Sequence, residues 1–214
     1  AAQLYKDRPP TRNDVLSTWS GVRPILVSGN PDKPSKASRE HKVWSEEGLV
    51  GCSGGKLTTF HHMALDVMDR AQEYLPDTPT ASDQRIFPTL KTEPNELLPG
   101  NAEQASLLLG RFGDDAGKLV SQAAAGELEL LLDSGISLAE LRWSLRNESV
   151  LHLDDLMLRR SRLGILLRDG GAELLDRIEP LCRECLGWDE ERWAAERERY
   201  RDIIGRFYSV PERA

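Results

Sequence analysis

The spacing of apolar residues in this chain changes once, close to Leu57, and that change separates a strand-rich beginning from a helical remainder. Before about Cys52 the sequence is punctuated by Pro9, Pro10, Pro24, Pro31 and Pro34, with short β-branched or aromatic runs between them, a pattern of strands and turns. Val22 to Val27 is one candidate strand. His41 to Trp44 and Leu49 to Cys52 are two more, and Glu46-Glu47-Gly48 between them suits a hairpin. From Leu57 the apolar positions Leu57, Phe60, Ala64, Met68, Ala71 and Leu75 fall at three- and four-residue steps, which places them on one face of a helix closed by Pro76.

A Pro- and Thr-rich stretch from Pro76 to Gly100 reads as an irregular connection. Everything after it carries helix signals. Asn101 caps a helix through Phe112, Asp114 or Asp115 starts a short one, and Gly126 to Asp133 is a third, closed by Gly135. Ser137 with Glu140 forms a capping box that opens Leu138 to Asn147. Asp154 to Arg168 reads as one long amphipathic helix stopped by Gly170-Gly171, and Ala172 to Leu186 as another stopped by Gly187. The last helix runs from Asp189 to about Tyr208, with Trp188 and Trp193 at staple spacing and Trp193, Tyr200, Ile203, Ile204 and Phe207 on one face. The expected fold is therefore α+β and mostly α: a short antiparallel β segment, a helix after it, and a C-terminal bundle of about six helices. The boundaries fall at 1–75, 76–100 and 101–214.

With 28 Lys and Arg against 35 Asp and Glu, the net charge of −7 argues against a general nucleic-acid binder, so any anion site must be local. The longest apolar runs, Leu163 to Leu167 and Leu128 to Leu132, are far shorter than the roughly 20 residues that cross a bilayer. The chain opens without Met and without the features of a leader peptide, and it reads as part of something longer. Three cysteines suit a reducing compartment, with the cytoplasm as the default. Cys182 and Cys185 form a lone C-x-x-C among Ile178, Leu181 and Leu186, which favours a buried structural pair over a metal or redox role.

The densest chemical signal is Gly51-Cys-Ser-Gly-Gly-Lys56-Leu-Thr-Thr-Phe60, a strand ending in a glycine turn that opens a helix. Gly54 and Gly55 lack a Cβ and let a backbone approach a flat ligand. The N–H groups of Leu57, Thr58 and Thr59 would lie at the positive end of the helix. The spacing is neither that of a Walker loop nor G-x-G-x-x-G. Arg23, before Pro24, and Arg39, at the start of the hairpin, each read alone as surface residues. Together with Lys56 they would form a fork suited to a phosphate dianion.

The run Ser20-Gly-Val-Arg-Pro24, the isolated Arg39, Gly54-Gly-Lys-Leu-Thr-Thr-Phe60 and the later Asp154-Asp-Leu-Met-Leu-Arg-Arg-Ser-Arg-Leu-Gly164 occur in the order found in one flavoenzyme family. From about Thr11 to Tyr208 the chain resembles the FAD-dependent glycerol-3-phosphate dehydrogenases and oxidases of the D-amino-acid-oxidase superfamily. The resemblance implies oxidation of sn-glycerol 3-phosphate to dihydroxyacetone phosphate, with electrons passed to quinone or oxygen. It implies that Arg23, Arg39 and Lys56 bind the substrate, that Lys56 is catalytic beside the flavin, and that Gly54, Gly55, Leu57 and Thr58 contact the flavin edge. It also implies peripheral membrane attachment through quinone use, and a homodimer is one open oligomeric state.

The family's N-terminal G-x-G-x-x-G is not present in this sequence, so the resemblance implies the C-terminal part of such an enzyme, with its main flavin domain elsewhere. His61 and His62 read as ordinary helix residues. The Arg159, Arg160 and Arg162 cluster reads as an interdomain salt-bridge patch. A reading from another class is a stand-alone helical interaction module.

Overall fold

The computed structural model describes residues 9–22, 40–76 and 89–211. Arg23, Arg39 and all but the first residue of the candidate strand Val22 to Val27 lie outside the described residues. Two compact units divide the rest: residues 21–22 with 40–76, and residues 9–20 with 89–211. The architecture is α+β and mostly α, as the sequence predicts.

In the smaller unit, strands β1 (His41–Glu46) and β2 (Leu49–Gly54) pair antiparallel, with His41 opposite Gly54 and Glu46 opposite Leu49. The connection is the two-residue loop Glu47-Gly48, and both residues have positive φ, 49° and 85°. That pair of values belongs to the mirror-image turn whose twist matches a hairpin. Glu47→Asn puts a residue tolerant of this conformation at the first position. It is expected to raise stability by about 0.5 kcal/mol, read as a shift of the denaturation midpoint.

Helix α1 (Phe60–Ala71) packs against the hairpin. The predicted apolar face is displaced: Met68 and Ala71 are half-buried, but Leu57, Phe60, Ala64 and Leu75 are exposed. The reason is the starting point, since Leu57–Thr59 form a tight 3₁₀ turn and the α-helix begins only at Phe60. Met63, Val67 and Ala71, at four-residue steps, make the half-buried stripe instead. Two polar contacts fix α1 and the turn after it to β1: His41 Nε2 lies 2.5 Å from Asp66 in the helix, and Ser45 Oγ lies 2.6 Å from Tyr74 Oη just beyond it.

The larger unit contains the short α2 (Pro94–Leu97), then α3 (Ala102–Phe112), α4 (Ala116–Gln122) and α5 (Leu138–Asn147). They are followed by α6 (Leu163–Leu166), α7 (Leu175–Leu186) and α8 (Glu190–Ile203). Helix α5 sits between two apolar clusters, with Leu141 and Leu145 in the larger and Ala139 in the smaller beside Leu108, Leu109 and Leu119. Its start is the predicted capping box: Ser137 N donates to Glu140 at 2.7 Å and Glu140 N to Ser137 Oγ at 3.4 Å. The Trp188–Trp193 staple also forms, with ring centroids 6.2 Å apart across the Asp189 cap.

Three predicted helices differ. Gly126 to Asp133 is not an α-helix: Leu131 is extended and fully buried between Leu130 and Leu132, each 45% exposed, and Leu132, at a left-handed φ of 52°, opens a 3₁₀ turn through Ser134. Leu131 N donates to Ile136 O at 2.7 Å, so this short Leu run closes a turn onto the start of α5.

Asp154 to Arg168 is broken as well. Its first part is a π-helix, Asp155–Arg160, after which Arg162 takes a left-handed φ of 60° and only the single turn of α6 remains. Tyr200 of α8 holds the chain just beyond the break: its hydroxyl, protonated and pushed above its ordinary pKa by burial, donates to Gly170 O at 2.6 Å. A Cβ at Gly164 would meet that oxygen at 2.3 Å and Leu158 Cδ2 at 2.7 Å. Gly164→Ala is therefore expected to destabilise the unit by about 2 kcal/mol in urea denaturation.

The segment predicted as the start of the next helix, from Ala172, is a 3₁₀ turn, and α7 proper begins at Leu175. At the chain's end a π turn over Ile204–Tyr208 adds a residue to the last helical turn. It rotates Phe207 outward, to 60% exposure, and brings Tyr208 against the core in its place.

Residues 9–20 run along this unit as a strap. Ser17 Oγ donates to Ile165 O at 2.8 Å, Thr18 N to Tyr208 O at 2.8 Å and Thr18 Oγ1 to Ser209 O at 2.7 Å. Among the described residues no helix is long and apolar enough to cross a membrane.

Candidate functional site

The turn from β2 into α1 holds the largest group of residues singled out by the sequence. Gly54 and Gly55 have φ of 84° and 77°, a left-handed pair that reverses the chain out of the strand. Lys56 is then extended and the 3₁₀ turn Leu57–Thr59 leads into α1. Thr59 closes the turn on itself: its hydroxyl accepts from Lys56 N at 3.2 Å and donates to Lys56 O at 2.9 Å.

Thr59 N–H also donates to Lys56 O, at 2.9 Å, so it is not one of the open donors that the sequence suggests. The tighter i to i+3 bonding of a 3₁₀ start consumes it, which leaves Leu57 and Thr58 at the head of the turn. Lys56, Leu57 and Thr58 are exposed, Leu57 by 88%.

The two glycines answer to different demands. A Cβ on Gly55 would lie 2.4 Å from Met63 Sδ and 3.3 Å from His41 Cβ, so internal packing alone excludes a larger residue there. Gly54 needs its glycine for φ. The structure thus brings Gly54, Gly55, Lys56, Leu57 and Thr58 onto one short edge, with the two glycines half-buried and the last three residues exposed, while Arg23 and Arg39 lie outside the described residues.

The later Arg-rich segment is in the helical unit, and its first member works inside that unit. Arg159 pairs with the buried Asp154 and, at 3.1 Å, with Asp155. Arg199 pairs with the other Asp154 oxygen. Burial pushes the Asp154 carboxyl up, but the hydrogen bonds from Arg159 and Arg199 outweigh it and hold the group below the usual carboxylate range.

Glu196 is a second buried carboxylate. It lies 2.9 Å from His152 Nδ1, accepts from Leu153 N at 2.9 Å and pairs with Arg192 at 2.8 Å. The sequence marks Arg159 as a salt-bridge residue but does not reveal either cluster, because each is completed across a long separation: 45 positions from Asp154 to Arg199 and 44 from His152 to Glu196. Cys182 is fully buried beside Ile178 and Leu181, and burial pushes its thiol up to about 12, so it is a packing residue rather than a nucleophile.

Residues 53–193 match the family model described as the C-terminal domain of alpha-glycerophosphate oxidase, and the chain belongs to that family.

Curated relatives agree. Glycerol-3-phosphate dehydrogenase 2 of Mycobacterium tuberculosis is 31% identical over 195 residues, covering 84% of this chain and 33% of the relative. The mitochondrial glycerol-3-phosphate dehydrogenase SDP6 of Arabidopsis thaliana is 28% identical over 225 residues, covering 92% of this chain and 36% of the relative. The aerobic glycerol-3-phosphate dehydrogenase of Staphylococcus haemolyticus is 31% identical over 182 residues, covering 74% and 32%. The chain spans about a third of the length of these relatives.

Proposed function

We propose that this chain is the C-terminal portion of an FAD-dependent glycerol-3-phosphate dehydrogenase that oxidises sn-glycerol 3-phosphate to dihydroxyacetone phosphate and passes the electrons to a quinone. The observation that carries this reading is the Gly54-Gly55-Lys56-Leu57-Thr58 edge, its last three residues exposed, which lies inside the stretch that matches the family. The names of the relatives supply the substrate.

The residues fit the edge of a flat ring in a limited way: Gly54 presents backbone with no side chain, and Leu57 and Thr58 are open, whereas the main cofactor-binding motif is not in this sequence. When bound, FAD supplies the hydride acceptor. Oxidation removes a hydride from the substrate's C2 and a proton from its hydroxyl. Arg23 and Arg39 would hold the phosphate, and Lys56 would reach the substrate oxygen or phosphate. The open N–H groups of Leu57 and Thr58 would serve the ring edge by stabilising negative charge there.

The smaller unit supports a role within a longer polypeptide, because none of its described residues is fully buried. The enzyme would work in the cytoplasm, peripherally at the membrane surface where quinone is available. The test is an assay of the complete polypeptide that carries these residues. Reduction of a quinone analogue that depends on glycerol 3-phosphate is expected. Rapid peroxide formation would replace quinone with oxygen, and absence of any turnover with bound FAD would overturn the reading.

A further inference from the structure

A cavity of about 260 Å³ opens in the helical unit, lined in part by Arg111, Ile136, Glu140, Glu148, Arg160 and Arg162. Its charges are not equally committed. Arg111 donates to Glu140 at 2.6 Å and to Gly135 O at 2.8 Å, and Glu140 also holds Ser137. That pair neutralises itself. The guanidiniums of Arg160 and Arg162 have no ion-pair partner among the described residues, although the adjacent Arg159 has two. One further carboxylate, Glu148, lines the same space half-buried. The uncommitted charge is two cations against one anion.

The backbone makes this convergence. On an uninterrupted α-helix, residues two apart point to nearly opposite sides, so Arg160 and Arg162 would not share a cavity. Here the π-helix ends at Arg160, Ser161 Oγ turns back to donate to Leu156 O at 2.7 Å, and Arg162 takes φ of 60°. A residue with a Cβ is strained in that conformation, and such strain gathers at ligand clamps.

We propose that this cavity binds a small phosphorylated polyol, with the phosphate held by Arg160 and Arg162 and a hydroxyl donated to Glu148. Two guanidiniums suit a phosphate dianion. The carboxylate beside them favours a ligand that also carries a donor over a bare anion. This inference does not rest on the proposed function, and the residues it names all belong to the helical unit.

The test is calorimetric titration of the full chain with glycerol 2-phosphate and with inorganic phosphate. An Arg23→Ala, Arg39→Ala background removes the substrate-phosphate residues of the proposed function. Glycerol 2-phosphate should bind, and adding Arg160→Ala with Arg162→Ala should weaken it about tenfold or more. Arg162→Gly separates a ligand role from a structural one: it should raise the thermal midpoint by relieving the left-handed strain while lowering affinity. Glu148→Gln should weaken glycerol 2-phosphate but not inorganic phosphate. Absence of binding, or affinity unchanged in the double arginine variant, would overturn the site. Equal effects of Glu148→Gln on the two probes would overturn the polyol.

Discussion

Replacing Arg159 and Arg199 together with alanine is expected to destabilise the helical unit by about 3–5 kcal/mol at neutral pH, measured by chemical denaturation. Asp154 is 2% exposed and flanked by the fully buried Leu153 and Leu156. Its two oxygens are divided between the two guanidiniums. Without them a carboxylate remains in apolar surroundings, where it must either stay charged at high cost or take up a proton.

The pH dependence should therefore invert. In the native protein the folded carboxyl titrates below its ordinary value. Its contribution to stability is present above the unfolded carboxylate range and is lost as pH falls through the depressed folded value. In the double variant the folded value is raised, so lowering the pH should recover stability. A loss below about 1 kcal/mol would mean that water reaches Asp154.

The second large effect concerns the proposed substrate site. In the complete polypeptide, Arg23→Ala is expected to raise the Michaelis constant for glycerol 3-phosphate about thirtyfold, because a bidentate partner of a phosphate contributes roughly 2 kcal/mol. The companion Lys56→Met should act differently, lowering kcat, since Lys56 is assigned to the reacting end. Steady-state kinetics on both variants separates the two roles. An unchanged Michaelis constant in Arg23→Ala would remove that residue from the phosphate site.

What the sequence made legible was local. The Ser137–Glu140 box, the Trp188–Trp193 staple and the Gly187 stop of α7 each depend on residues within five positions of one another, the hairpin on strands joined by a two-residue turn, and each forms as expected. The glycine edge was readable for the same reason, because Gly54 to Thr58 are contiguous. The misreadings share a different cause. The Leu128 to Leu132 run fits a helix by composition, but Ile136 and the start of α5 draw Leu131 into an extended turn. The turn over residues 164–170, which replaces the rest of the predicted long helix, is held by Tyr200, 30 residues beyond Gly170. Tertiary contact prevailed over periodicity there. The polar clusters around Asp154 and Glu196 were illegible because helix α8 supplies the distant member of each.

The phenol of Tyr200 has a consequence for how the helical unit comes apart. It bonds the carbonyl of Gly170 and fills the space where Gly164 has no side chain, so one residue of α8 holds both ends of the 164–170 turn. The terminal strap is tied to the same region through Ile165 and Tyr208. When α8 lifts away, the turn loses its template and the strap its anchor together. In hydrogen exchange the amides of α8, of residues 163–174 and of Thr18 should therefore open as one cooperative unit, although they are scattered along the chain.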